Sequence, residues 1–186
     1  MGADASHNDP RGDEALIAAL NGGDASAFDA LYYRYRDWVA RLAFRFTQND
    51  ADALDVLQET FAYVFGKFPG FVLTARMKTF LYPVVKNLSI AARRKRDRHA
   101  SDQPMGDPAA AEQRATAVQS RAELAIPLAS LPEIQREVLL MRFVDEMSLA
   151  EIGTALSIPE GTVKSRLHNA LDTLRNDPGA KEYFER

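Results

Sequence analysis

Residues 148–174, SLAEIGTALSIPEGTVKSRLHNALDTL, decide how this chain folds. Ser148 followed by Glu151 is a capping box: the serine hydroxyl takes one orphan amide at a helix start, and the glutamate reaches back to another. Leu149, Ile152 and Leu156 follow at helical spacing and give the first helix one apolar face. Pro159 and Gly161 break that pattern, so residues 157–161 read as a turn. Val163, Leu167, Leu171 and Leu174 then recur at four, four and three residues, with Ala170 beside them, as an inward stripe. Lys164, Ser165, His168, Asn169 and Asp172 fall on the other side. Gly153 lacks a side chain and lets the second helix cross closely over the first. The second helix opens with Thr162, Lys164, Ser165 and Arg166, hydroxylic or basic residues suited to phosphates and base edges. The pattern is a helix-turn-helix, whose second helix enters the DNA major groove; the plain alternative is a helical hairpin within a bundle.

Outside this stretch, composition sets limits. The chain has 186 residues, room for one ordinary domain or two small ones. Hydrophobic content of 46% suffices for packed cores, and 26% charged residues fit a soluble globular protein. The absence of cysteine excludes disulfides, thiolate metal sites and cysteine nucleophiles. His7, His99 and His168 are too scattered for a metal cluster, and no cofactor is expected. No apolar run approaches the ~20 residues of a membrane helix, and no signal-peptide core opens the chain, so a cytoplasmic protein without membrane insertion is expected.

Net charge is −3, which argues against indiscriminate nucleic-acid binding, but its distribution is uneven. Between residues 76 and 98, Arg76, Lys78, Lys86, Arg93, Arg94, Lys95, Arg96 and Arg98 face Asp97 alone, a local charge of +7. A solvated helix face usually interleaves acids with its bases, so this run reads as a footprint for phosphate.

Taken in order, residues 1–12 read as a disordered N-terminus. Asp13 is placed as the cap of a short helix through Leu20, ended by Asn21, Gly22 and Gly23, and Asp24 as the cap of the next. There Phe28, Leu31, Tyr35, Trp38, Val39, Leu42 and Phe46 keep a helical period. A third helix runs from Ala51 to Phe65 with Leu54, Leu57, Phe61 and Phe65 inward. A fourth spans about Thr74 to Arg96, with Met77, Phe80, Leu81, Val84 and Leu88 apolar and Pro83 expected to kink or divide it near 79–82. Residues 99–126 read as a linker rich in Pro, Ala, Asp and Gly, with helix resuming near Ala111. From Glu133 to Val144 a helix is expected to pack Val138, Leu139 and Phe143 against the helix-turn-helix. No strand pattern persists, so the fold class is all-α: two small helical domains, 13–98 and 127–186, joined by a flexible linker, the second a helix-turn-helix.

The segment LPEIQREVLLMRFVDEMSLAEIGTALSIPEGTVKSRLHNAL resembles the promoter-binding C-terminal domain of bacterial sigma factors. Leu131, Pro132, Arg136, Leu139, Phe143, Ser148, Glu151, Ile152 and residues 161–166 carry the match. Upstream, DALDVLQETFAYVFGKFPGF and TFLYPVVKNLSIAARRKR resemble the N-terminal promoter-melting domain of the extracytoplasmic-function class. The resemblance implies a protein that binds core RNA polymerase, through its largest catalytic subunit and flap region, and directs it to promoter DNA under an anti-sigma factor. Asp52, Asp55, Gln58 and Glu59, ahead of Phe61, match the family's polymerase-docking helix. The loop from Phe71 to Arg76 matches the one that captures a flipped minus-ten base, with Phe71 as a pocket wall, Asn87 on the extruded strand, and Arg93, Arg94, Lys95 and Arg96 on phosphates. Lys164, Ser165, Arg166, His168 and Asn169 would meet the minus-thirty-five element. The sequence departs from the family's usual residues at Leu54, Phe80 and Pro83.

Three other readings remain open: a sigma mimic that sequesters an anti-sigma factor without touching DNA, a stand-alone helix-turn-helix repressor, and an enzyme. The repressor leaves the first hundred residues without a role. A nuclease built on Asp50, Asp52, Asp55 and Glu59 lacks a convergent partner segment.

Overall fold

Seven helices make up the described part of the chain: α1 (Asp13–Asn21), α2 (Ser26–Thr47), α3 (Asp50–Phe65), α4 (Met77–Asp102), α5 (Glu133–Phe143), α6 (Leu149–Leu156) and α7 (Glu160–Asn176). The computed structural model describes residues 9–102, 128 and 130–177, and no strand occurs among them. The chain divides into two compact units, Met1–Gln103 and Pro104–Arg186. The linker interior and the helix expected near Ala111 lie outside the described residues.

In the first unit α2, α3 and α4 pack on one another and α1 packs on α2. Leu31, Val39, Leu42, Val56, Val64, Leu81, Tyr82 and Val85 are buried at their centre. Phe28 and Tyr32 of α2 meet Phe61 of α3 edge-on at 6.2 and 4.8 Å, each such pair worth about 1 kcal/mol beyond its buried area. The joint between α2 and α3 is closed by polar residues. Gln48 takes the left-handed conformation that ends α2, and the buried Thr47 hydroxyl donates to the carbonyls of Ala43 and Asn49. Asn49 then caps α3 by accepting from the Asp52 N–H at 3.0 Å.

Several expectations change here. Gly12, not Asp13, precedes α1; the Asp13 carboxylate instead receives the Arg34 guanidinium (2.7 Å) and the Tyr35 hydroxyl. Arg34 also donates to the carbonyls of Asp9 and Arg11, so the expected disorder does not reach residues 9–12. On α3 the inward face is Ala53, Val56, Leu57, Thr60, Phe61 and Val64, while Leu54 is 53% and Phe65 55% exposed. The buried stripe takes in Ala53, Val56, Thr60 and Val64 beside Leu57 and Phe61, which turns it away from Leu54. α4 starts three residues later than expected and runs on through residue 102, past Pro83 without division. Met77, Leu81, Tyr82 and Val85 are buried on both sides of the proline and hold both halves to the core.

Ala25, not Asp24, directly precedes α2, one residue beyond the expected cap; the Asp24 carboxylate still accepts from the Ser26 N–H at 3.0 Å and also takes Arg11. Arg11 grips Asp9 at 2.7 Å and holds its carboxyl down at about 2, from 3.8. A carboxylate with a lowered folded pKa stabilises the fold fully above its unfolded value and loses that contribution as pH falls through the folded value. The Arg11 clamp is therefore expected to stay intact at pH 4 and release near pH 2; a carboxyl-carbon NMR titration of Asp9 with a midpoint at 3.8 would refute this.

In the second unit α5 and α6 both pack against α7. Leu131, Leu139 and Ala170 form a buried cluster flanked by Leu128, Leu167 and Leu174. Val138, Met141, Met147, Ile152 and Val163 are buried as well. Two residues assigned to this core are not in it: Phe143 is 58% and Leu171 39% exposed. Met141 is buried on α5 where Phe143 was expected, and on α7 the burial of the expected Val163 and Ala170 turns Leu171 outward.

Candidate nucleic-acid interface

The helix-turn-helix forms as its residues direct. Ser148 Oγ accepts from the Glu151 N–H at 3.2 Å, and Glu151 Oε2 accepts from the Ser148 N–H at 2.7 Å. A Cβ built on Gly153 would stand 2.9 Å from the Ile158 carbonyl oxygen, and the Ile158 N–H donates to the Gly153 carbonyl at 2.9 Å. The close approach is thus made by the turn's backbone more than by the second helix. The turn is shorter than expected. Ser157 takes the left-handed conformation at φ 56°, Pro159 precedes α7, and Gly161 is already helical.

On α7, buried Val163 and Ala170 leave the opposite face open. Lys164, Ser165, His168 and Asn169 are exposed on it, with Thr162 and Arg166 half-buried beside them. Lys164 pairs with Glu160 at 2.8 Å, one turn back, an exposed pair that a phosphate can displace at little cost. Ser165 turns its hydroxyl to the Thr162 carbonyl (3.0 Å). No side-chain bond ties His168 or Asn169 to another described residue.

The basic run on α4 is not one patch. Arg76 and Lys78 stand at its start, roughly 25 Å of helix from Arg93–Arg98. Lys78 and Lys86 lay their ammonium groups 5.8 and 5.9 Å from the rings of Trp38 and Phe46. Arg93 donates to the Phe46 carbonyl (3.4 Å) and Arg96 to the Thr47 carbonyl (3.3 Å), at the negative end of α2. Arg96 also forms an ion pair with Asp52. Asp52 and Arg96, read from the sequence as contacts for different partners, therefore meet each other. Arg94, Lys95 and Arg98 are exposed, and Asn87 lies exposed two turns earlier.

Asp55, Gln58 and Glu59 share the outward face of α3 with Leu54 and Ala62. Phe71 is half-buried, its ring 5.5 Å from Phe68 and 4.9 Å from Phe80, and Phe80 in turn stacks on Tyr63 at 6.4 Å. One residue of this region escaped the sequence reading. Asn21 Oδ1 accepts from the N–H groups of Gly70 (2.7 Å) and Phe71 (3.1 Å), and its Nδ2 donates to the Phe71 carbonyl (2.8 Å). In sequence it is simply an asparagine before two glycines. Among the described residues no group of acidic or histidine side chains is placed to hold a metal ion, and no helix is long and apolar enough to cross a membrane.

The described residues thus form a helical unit with an acidic outward face on α3 and basic side chains late in α4, and a second unit with the architecture of a helix-turn-helix protein and an open polar strip on α7. Residues 31–99 match the family model for sigma-70 region 2, and residues 128–176 that for sigma-70 region 4. The chain is 33% identical over 166 residues to the ECF RNA polymerase sigma factor SigL of Mycobacterium tuberculosis, covering 87% of this chain and 94% of that protein. It is 29% identical over 173 residues to SigW of Bacillus subtilis, covering 86% and 92%. Among solved structures, CnrH in complex with the cytosolic domain of CnrY has a similar fold (TM-score 0.66, 23% identity, 87% of this chain and 93% of that one). So does the sigma factor RpoE of Bartonella quintana in complex with the anti-sigma factor NepR (TM-score 0.59, 19% identity, 85% and 96%). The chain belongs to the extracytoplasmic-function family of RNA polymerase sigma factors. Members of that family bind core polymerase and direct initiation at promoters.

Proposed function

We propose the following division of labour. α3 docks on core polymerase through Asp55, Gln58 and Glu59, while Asp52 stays engaged with Arg96. α7 reads the minus-thirty-five duplex through Lys164, Ser165, His168 and Asn169, with Thr162 and Arg166 at its edge. The loop at Phe71 and the exposed Asn87 engage the melted minus-ten strand, and Arg94 and Lys95 hold phosphates. Arg96 is engaged with Asp52 and the Thr47 carbonyl, Arg93 is exposed with one bond to the Phe46 carbonyl, and Arg76 and Lys78 stand near the loop. The protein is regulatory: catalysis resides in the polymerase, and the complex works in the cytoplasm. An anti-sigma factor controls it, a reading supported by the RpoE–NepR assembly of similar fold.

The observation that most supports this reading is the exposed strip of α7 set against its buried Val163–Ala170 stripe. The sigma-mimic alternative would have no need of that strip. The test compares two classes of variant in holoenzyme. Asn169→Ala is expected to relax preference at one minus-thirty-five position by ~1–3 kcal/mol. Replacing Arg94 and Lys95 by alanine is expected to weaken binding across all promoters and flatten its salt dependence, since phosphate contacts carry no base identity. Filter binding over a salt series reads both. Unchanged base preference in Asn169→Ala, with unchanged salt slope in the double variant, would sink the assignment.

A further inference from the structure

Asn21 ends α1, yet its carboxamide does not cap its own helix. The carbonyls of Ala18, Ala19 and Leu20 are taken by the backbone N–H groups of Gly22 and Gly23. The side chain instead spends all three of its hydrogen bonds on Gly70 and Phe71, 49 and 50 residues downstream. The amide can be oriented only one way, because turning it over would set its NH2 against two N–H donors and its oxygen against a carbonyl. Gly70 itself sits at φ +97°, a conformation that favours glycine, and the next residue carries the ring that rests on Phe68 and Phe80. Val72, immediately beyond, is exposed.

We propose that Asn21 is a positioning residue for base capture: it clamps the Gly70–Phe71 backbone so that the Phe71 ring is in place before a base leaves the stack. This rests on the reading of Phe71 as a wall of the base pocket. A loop held in advance by three hydrogen bonds has already lost the backbone freedom that capture would otherwise have to remove. The capping of α1 does not explain the geometry, since its last carbonyls are taken without the Asn21 side chain. Aspartate at position 21 keeps the acceptor for both N–H groups but sets a second oxygen against the Phe71 carbonyl.

The experiment uses the full chain assembled with core polymerase on a promoter, following strand opening by permanganate reactivity of unpaired thymines and duplex binding by filter retention. Phe71→Ala is expected to slow opening roughly tenfold, as loss of one aromatic–base contact does. Asn21→Ala should slow it to a similar extent with duplex binding and core affinity unchanged, and Asn21→Asp should lie between it and the wild type. The combined Asn21→Ala, Phe71→Ala variant should be no slower than Phe71→Ala alone, because the clamp acts only through that ring. Normal opening in Asn21→Ala beside a slow Phe71→Ala would overturn the clamp and leave the pocket reading standing. Normal opening in Phe71→Ala would remove the pocket reading, and the clamp with it. Additive slowing in the double variant, or an Asn21→Asp variant as slow as alanine with a lowered unfolding midpoint, would assign Asn21 to general stability and also overturn the proposal.

Discussion

Gly153→Val is expected to unfold the helix-turn-helix and abolish duplex recognition while leaving the first unit folded. The backbone oxygen of Ile158 already lies 2.9 Å from where the new Cβ would be, and a backbone atom of a two-ended turn cannot move aside as a flexible side chain can. Two further methyl groups would press toward Glu160 and Val163, the other neighbours of that position. Overpacking of this kind costs about 3 kcal/mol. A unit of this size holds only roughly 2–7 kcal/mol in total, so the loss is a large share of its stability. Thermal unfolding should show the transition of residues 130–177 falling or vanishing while that of the first unit stays in place. A valine variant as stable as the wild type would mean that the turn adjusts freely.

Reversing both acids on the docking face, Asp55→Lys with Glu59→Lys, is expected to weaken binding to core polymerase about 100-fold, since like charges set against each other across an interface cost several kcal/mol. Both side chains are exposed and neither belongs to the buried face of α3, so helical content should be preserved. Fluorescence anisotropy with labelled protein measures the affinity, and circular dichroism the fold. If helicity falls in step with affinity, the face is structural and the docking assignment fails.

Local signals were the ones the sequence stated clearly. The Ser148–Glu151 box formed as spacing dictates, and the need for a side-chain-free residue at Gly153 held, although it is the turn's backbone that approaches there. The phase of a buried face was harder to read. On α3 the pattern of large apolar residues chose Leu57 and Phe61 correctly but added Leu54 and Phe65, whereas the rest of the buried face is Ala53, Val56, Thr60 and Val64. On α7 the expected stripe held at Val163 and Ala170, while Leu171 is 39% exposed. Pairings across the fold had no local sign at all. Counting charges places Arg96 in a phosphate run, but its partner Asp52 lies 44 residues away on another helix. Asn21 and Phe71 are as far apart, and only the packing of α1 beside the loop brings them together.

The unbroken course of α4 through Pro83 also sets a length. Its 26 residues make a rod about 39 Å long at 1.5 Å per residue. With the loop of Phe71 leading into one end and Arg94 and Lys95 near the other, the two proposed contacts lie about 25 Å apart along the axis. That is roughly seven base steps of duplex at 3.4 Å each. A helix divided at the proline would let this span vary; on the proposed assignment a continuous one makes it a gauge, so that the strand's exit from the duplex and the phosphates beside it would be measured off against each other by the protein's own dimension.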